Sequence, residues 1–314
     1  MYPCRPVLAI LVLLSQKTVQ VQAGQDNAID IDFEASALLQ HGSKAQRRTS
    51  GKKDRCIIHY HIPKTAGTSI KSWFGSHHLR TCAYHGPRID NHSMTPECLK
   101  ADYYSGHWGT GFREFLIKQG MTRNCYEFTV LRNPMERAAS NLFYSFPNET
   151  VQSYIDMARR ALTSDELDDE RAVTLDDLRR RAWPSLVVNH MCRQLTGLTS
   201  TFDLFSPHFY DHWRSTCDPR RAAETLASLD FVGFTEDLDH VLQYLASIDW
   251  PRTGDGTGSP QSAGGAYHDN PSQNPGVRSL PRELQDLLMK ANNVDIELND
   301  MARRKARDTV RPQG

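Results

Sequence analysis

The sequence predicts an α/β fold with a central parallel sheet flanked by helices. Three observations predict it. Apolar runs of strand length recur along the chain, and each is followed by a stretch with apolar residues at helical spacing. The chain has 314 residues and is 39% hydrophobic, which suits one globular domain of about 250 residues plus a leader and a tail. Lys64, His107 and Arg132 fall at or just beyond the carboxyl ends of three of these strands, where parallel sheets bind ligands.

The elements follow in order. Residues 1–23 read as a signal sequence: Arg5 supplies positive charge, residues 7–14 form a short apolar core, and Val21, Gln22 and Ala23 offer a cleavage site. The core is short of the roughly 20 residues that span a bilayer, so a cleaved signal is favoured over a short signal-anchor. Residues 24–54 are polar, first acidic and then basic, and predict a disordered stem. The domain is expected over 55–308, with 309–314 as a tail. Its first strand, over 55–62, carries Cys56, Ile57, Ile58, Tyr60 and Ile62. Pro63 cannot donate to a ladder and ends it. Ile70, Trp73 and Phe74 then recur at helical spacing.

Residues 80–101 read as irregular. A short strand over 102–107 is followed by a helix through Phe112, Phe115 and Leu116. Residues 125–132 form a strong strand, after which Asn133 can cap and Pro134 suits the first helical position. Met135, Ala138, Ala139, Leu142 and Phe143 give that helix a buried face. Residues 147–182 are helical and charged, and read as a surface insertion. A helix over 183–195, a strand over 229–235 and a helix through Leu238, Val241, Leu242 and Leu245 follow. Residues 252–277, rich in Gly, Ser, Pro and Asn, predict a loop. Two helices, one starting at Pro281 and one over 294–306, complete the domain. No internal repeat is visible.

Thirty-seven basic and thirty-seven acidic residues cancel, so no global field argues for nucleic acid or a membrane surface. Local basic clusters at 179–181, 220–221 and 303–307 read as solvated helix faces or as a track for an anionic polymer. Apart from Cys4 in the leader, cysteines stand at 56, 82, 98, 125, 192 and 217, which suits an oxidising compartment. Cys82 with Cys98, and Cys192 with Cys217, are the first pairs to expect, because both lie in loop-rich stretches. Cys56 and Cys125 open core strands and read as plain buried thiols. Asn91 and Asn148 head glycosylation sequons, which carry meaning in a secretory protein.

The candidate site begins in the turn after the first strand, where Lys64, Thr65, Ala66, Gly67, Thr68 and Ser69 place one lysine among small residues. A helix that starts from such a turn offers its first N–H groups, at the positive end of its macrodipole, to an anion. The turn is not a Walker A loop, in which the lysine follows the second glycine; here Lys64 precedes Gly67. The bland alternative is an ordinary strand-to-helix turn with a surface lysine. Further on, Arg132 ends a strand and Ser140 stands in the next helix. A planar guanidinium fork and a hydroxyl donor suit phosphate oxygens; the alternative is an arginine at a strand edge and an ordinary helix serine. Arg137, on the face of Ser140, reads more readily as a structural ion pair. His107 is the residue type that titrates near neutrality, at another strand end. Trp108 beside it suits either a sugar ring or the core. His61 is the second candidate for a base. His59 and His61 share a strand face and could serve zinc, but no tight Cys/His spacing supports a metal, and none is expected.

These residues carry a resemblance. Residues 63–69 resemble the 5′-phosphosulfate loop of sulfotransferases that use 3′-phosphoadenosine 5′-phosphosulfate (PAPS). The wording from His61 to Ser69 is most similar to carbohydrate enzymes related to heparan sulfate 2-O- and 6-O-sulfotransferases. Residues 131–140 resemble the family's 3′-phosphate motif, Gly106 and His107 its base segment, and residues 189–197 a segment on the acceptor side. The resemblance covers roughly 55–305. It implies a P-loop NTPase-like three-layer fold and transfer of a sulfuryl group from PAPS to a carbohydrate hydroxyl, with 3′-phosphoadenosine 5′-phosphate (PAP) as product and no metal. It implies Lys64 as the cation at the departing phosphate, and the amides of Thr65, Ala66, Gly67, Thr68 and Ser69 around the 5′-phosphate. Arg132 and Ser140 then hold the 3′-phosphate, His107 is the base, and Arg193 is a weak candidate for an acceptor charge. The implied partner is a glycan, including anionic polysaccharide, with no nucleic acid and membrane contact only through an N-terminal anchor. The implied location is the Golgi lumen, with secretion as the alternative; relatives are usually held there by an uncleaved anchor, from which this leader departs. Residues 252–277 lie where relatives close over the nucleotide.

Two other readings stay open. A P-loop-type kinase would need Mg²⁺, usually held by a loop hydroxyl and an Asp at a strand end; no apolar strand here ends in such an Asp, and ATP has no 3′-phosphate to explain Arg132 and Ser140. A non-catalytic lumenal glycan-binding module would bind sugar without PAP.

Overall fold

A computed structural model describes residues 55–77, 79–84, 97–109, 111–163, 187–196, 217–248 and 276–310. Strand β1 (Arg55–Tyr60) is the middle of its sheet. Beside it on one side lie β3 (Tyr103–Gly106) and then β2 (Thr81–Tyr84); on the other lie β4 (Asn124–Leu131) and then β5 (Phe231–Phe234). All four pairings are parallel, and the order is β2-β3-β1-β4-β5. Parallel strands need crossovers, and helices in the connections between strands supply them: α1 (Gly67–Ser76), α2 (Phe112–Lys118), α3 (Pro134–Ser145), α4 (Val151–Thr163), α5 (His190–Thr196) and α6 (Pro219–Ser228); α7 (Leu238–Ser247), α8 (Arg282–Ala291) and α9 (Asn293–Val310) follow the last strand.

β1 is mostly apolar, with Cys56, Ile57, Ile58 and Tyr60 buried, because both of its faces are covered. Cys56, Ile58 and Tyr60 pack toward Phe112 of α2, Met191 of α5, Leu226 of α6 and Leu298 of α9. Ile57 faces the opposite way, toward Trp73 and Phe74 of α1 and Val241 of α7. The result is three layers, helix, sheet and helix, as the alternation of strand and helix predicts. Each fully buried side chain of this kind contributes about 1.5–3 kcal/mol. A smaller core joins Ala138 and Leu142 of α3, Tyr154 and Ile155 of α4, and Leu284 and Leu288 of α8.

This packing corrects several expectations. α4 is no surface insertion: Tyr154, Ile155, Met157 and Ala158 make a buried stripe that its exposed charges mask in the sequence. The stretch 80–101 contains an edge strand, β2, and a short turn of 3₁₀ helix at Cys98–Lys100. Within the expected helix over 183–195, the described part is helical at Val187, turns at 188–189 and is helical again from His190, and α9 runs on into the expected tail. The leader, the stem, Asn91 and nearly all of the 252–277 loop lie outside the described residues. Asn148 is described, exposed in the turn between α3 and α4.

The disulfides Cys82–Cys98 and Cys192–Cys217 form as expected. Cys56 and Cys125 are not plain thiols but a third disulfide. The reason is register: β1 and β4 are neighbours, and Cys56 stands directly opposite Cys125. Three disulfides fit a secreted or lumenal protein. Among the described residues no helix is long and apolar enough to cross a membrane. The Cys56–Cys125 bond joins residues 69 apart in sequence, and closing such a loop stabilises by about 4 kcal/mol in the chain-entropy account. The double variant Cys56→Ala, Cys125→Ala is expected to lose stability of about that size in denaturant unfolding.

Candidate functional site

The sheet order fixes where a site can be. From β1 the chain crosses to the β2 edge, and from β4 to the β5 edge, so the crevice between the carboxyl ends of β1 and β4 is a topological switch point. The loop 61–66 leaves β1 there, and Arg132 leaves β4 there. Thr129 Oγ1 donates to Tyr60 O at 2.7 Å and closes the two strands together just below.

The first loop is shaped for an anion. Lys64 has φ 69° and Ala66 φ 62°, left-handed positions that bulky residues avoid. Left-handed residues interleaved in this way turn successive N–H groups to one side, as an anion-binding nest requires. Thr65 is buried, and its Oγ1 donates to Ile62 O at 2.7 Å, which holds the loop closed. That use of the Thr65 hydroxyl leaves its amide as its contribution. α1 then begins at Gly67 with no side-chain cap on its first turn, so the macrodipole is offered at the loop. Thr68 is exposed there and Ser69 buried.

Arg132 joins this loop. Its Nη1 donates to Lys64 O at 3.3 Å, and its Nη2 lies 3.9 Å from Glu136 Oε2. Burial pushes its guanidinium pKa down, and Glu136 and Glu236 pull it back up. Asn299 Nδ2 donates to Arg132 O at 3.1 Å and fixes the backbone. The following helix starts as the sequence predicts, with Asn133 Oδ1 accepting from the N–H groups of Met135 and Glu136 at 3.0 and 3.2 Å. Ser140 is buried on that helix, and its Oγ has no hydrogen-bond partner among the described residues. A buried hydroxyl normally finds a partner. One turn beyond, Tyr144 is 69% exposed, and Lys64 Nζ sits 3.9 Å above the centre of its ring. Burial, and then the charge of Arg132, lower the pKa of Lys64.

The histidines form a row on the α1 side of the sheet. His59 Nδ1 is 2.9 Å from the Tyr103 hydroxyl and 3.2 Å from Ser105 Oγ. His61 follows, its ring 5.5 Å from that of His59 and 4.6 Å, edge-on, from that of His107. The His61 ring also covers Gly67: a Cβ there would lie 1.9 Å from His61 Nε2. Gly67 is thus required by close approach, and His61 connects the anion loop to the half-buried His107.

Other expectations land differently. Trp108 is in the core, 1% exposed and stacked on Phe112 at 3.6 Å between ring centres. It is withdrawn as a sugar platform, because its ring has no face left for one. Arg137 is fully buried, with Nη2 donating to Val187 O at 3.2 Å; burial pushes its guanidinium down to about 10. Arg193 is half-buried, pushed down by burial and drawn back by Asp295. Asp295 is itself buried and accepts from the Met191 and Cys192 N–H groups at 2.9 and 2.8 Å, fixing the start of α5. No group of three or more His, Cys, Asp or Glu among the described residues is arranged to hold a metal ion.

Tyr144 and Gln194 belong to this region and escaped the sequence. Tyr144 was within reach of it, four residues after Ser140 on one helix face. Gln194 bonds to His61 O and Trp108 O, in the loops that follow β1 and β3, through tertiary contacts alone, and no local pattern marks it. No family model matches the chain. No curated protein matches it in sequence.

Proposed function

We propose that the chain is a sulfotransferase that moves a sulfuryl group from PAPS to a carbohydrate hydroxyl. The observation that carries this reading is the 3.3 Å hydrogen bond from Arg132 to Lys64 O, which makes two anion-binding elements walls of one crevice. The nest at Lys64 and Ala66, with the first turn of α1, suits the 5′-phosphate. Arg132 and the buried Ser140 hydroxyl suit the 3′-phosphate, a pairing that a nucleoside triphosphate would leave idle.

The transfer is an in-line displacement. The acceptor oxygen forms a bond to sulfur as its proton passes to the His107 imidazole. The bond from sulfur to the 5′-phosphate oxygen breaks, and PAP leaves with that electron pair. The Lys64 ammonium meets the charge that develops on this oxygen. Three disulfides fit a lumenal site of action, and we place it in the Golgi lumen.

The direct test is incubation with PAPS labelled in its sulfate and a set of glycan acceptors. Label on the glycan with matching release of PAP is expected. Consumption of Mg²⁺-ATP instead, or glycan binding with no turnover, contradicts the proposal. A second expectation concerns the nucleotide alone. Hydrogen bonds to charged groups are worth about 1.5–3 kcal/mol, so Arg132→Ala should weaken PAP roughly 10- to 100-fold by calorimetry. Adenosine 5′-monophosphate, which lacks the 3′-phosphate, should change little; an equal loss for both would mean that Arg132 only braces the Lys64 loop.

A further inference from the structure

We infer that Gln194 is a positioning residue: its single carboxamide sets the spacing between the loop that carries Lys64 and the loop that carries His107. The inference rests on the function proposed above. Gln194 lies on α5 and is 2% exposed. Its Nε2 donates to His61 O at 3.0 Å and to Trp108 O at 3.1 Å. Both partners are carbonyl oxygens, and only the amide nitrogen can donate to both, which settles the orientation of the carboxamide.

The two carbonyls are well chosen. β1 and β3 pair side by side up to Tyr60 opposite Gly106, and His61 N donates to Gly106 O at 2.9 Å as the last rung. Past that rung, one chain enters the anion loop and the other passes through His107. Gln194 is the cross-link where the ladder stops. Its support is firm: Asp295 fixes the first amides of α5, and the Cys192–Cys217 disulfide ties the same helix. A group held this way can fix a neighbour to fractions of an ångström.

The ties around the two loops differ. The Lys64 loop has further ties of its own, from Thr65 Oγ1 to Ile62 O and from Arg132 to Lys64 O. The carbonyl next to His107 is tied by Gln194. Both of its bonds lie outside the turn from Lys64 to Ser69, so loss of the carboxamide is expected to disturb the aim of the imidazole more than the grip on the nucleotide.

The test uses Gln194→Met, which keeps the side-chain length and removes both donors, and Gln194→His, which keeps one donor and serves if the first variant does not fold. Folded sites are counted by PAP binding, so a plain loss of stability does not register. For Gln194→Met, kcat per PAP-binding site should fall about 10- to 100-fold with the dissociation constant for PAP within about threefold of wild type; Gln194→His should fall less. Wild-type kcat per site in the variants overturns the inference, as does a loss of PAP affinity that matches the loss of kcat. If wild-type protein fails to bind PAP at all, it is the proposed function that fails.

Discussion

Replacing His107 by alanine is expected to lower kcat by about 10²- to 10⁴-fold, the usual size of a lost general base, with PAP affinity close to wild type. The expectation follows from where the imidazole sits. His107 stands one residue past the end of β3, half-buried, with its ring edge-on to His61. His61 in turn lies against Gly67 at the start of the anion loop. The proposed base thus reaches the site from the β3 side of β1, opposite the β4 side that carries Arg132. The acid-side fall of kcat/KM, which reports the protonation of the base, should vanish in His107→Ala. His61→Ala provides the contrast. Removing that ring frees space over Gly67, so its effect should include weaker PAP binding. A His61 variant that loses the acid limb while His107→Ala keeps it would exchange the two roles.

Lys64→Met is expected to lower kcat by about 10²- to 10³-fold, the range seen when one preorganised stabilising group is lost from a transition state. Here the effect should reach PAP binding as well, because in the proposed site the ammonium would face the 5′-phosphate before and after transfer. The ammonium sits above the exposed Tyr144 ring. Contact with a cation of this kind is worth about 0.5–1 kcal/mol at an exposed site, small beside the attraction of a phosphate. The pKa of Lys64 is lowered by burial and then by Arg132. An anion favours the charged form, so its binding takes up a proton wherever Lys64 is partly neutral. PAP affinity should be full below the lowered pKa and fall as pH rises through it, at a lower pH than an ordinary lysine would give. In Lys64→Met this fall should disappear from calorimetric titrations.

The layers of the fold could be read from the chain because β1, β4 and β5 are apolar runs and α1, α3 and α7 carry one apolar stripe each. The loop from Lys64 to Ser69 and the pair Arg132 and Ser140 were legible for a related reason: parallel strands deliver whatever follows them to one edge of the sheet. β2 was not, since a four-residue edge strand has too few positions to establish a period. α4 was misread because Asp156, Arg159 and Arg160 on its wet face, next to the acidic run that follows, hide the four residues that pack on α3 and α8. The Cys56–Cys125 pair needed the strand order: only the adjacency of β1 and β4 makes those positions neighbours. Trp108 and Gln194 show the same limit from two sides. One carried a polar ring edge yet belongs to the core, and the other looked like a helix filler yet ties two loops.

The most direct measurement is thermal unfolding of the full chain with PAP, with adenosine 5′-monophosphate and with Mg²⁺-ATP, each at matched concentration. If the Lys64 nest and the Arg132–Ser140 pair hold opposite phosphates of one nucleotide, PAP stabilises most. At 100 times its dissociation constant the gain is about 2.7 kcal/mol, and the monophosphate, which engages one cradle, gives much less. Equal stabilisation by Mg²⁺-ATP, or none by PAP, contradicts the shared crevice on which the proposed chemistry depends.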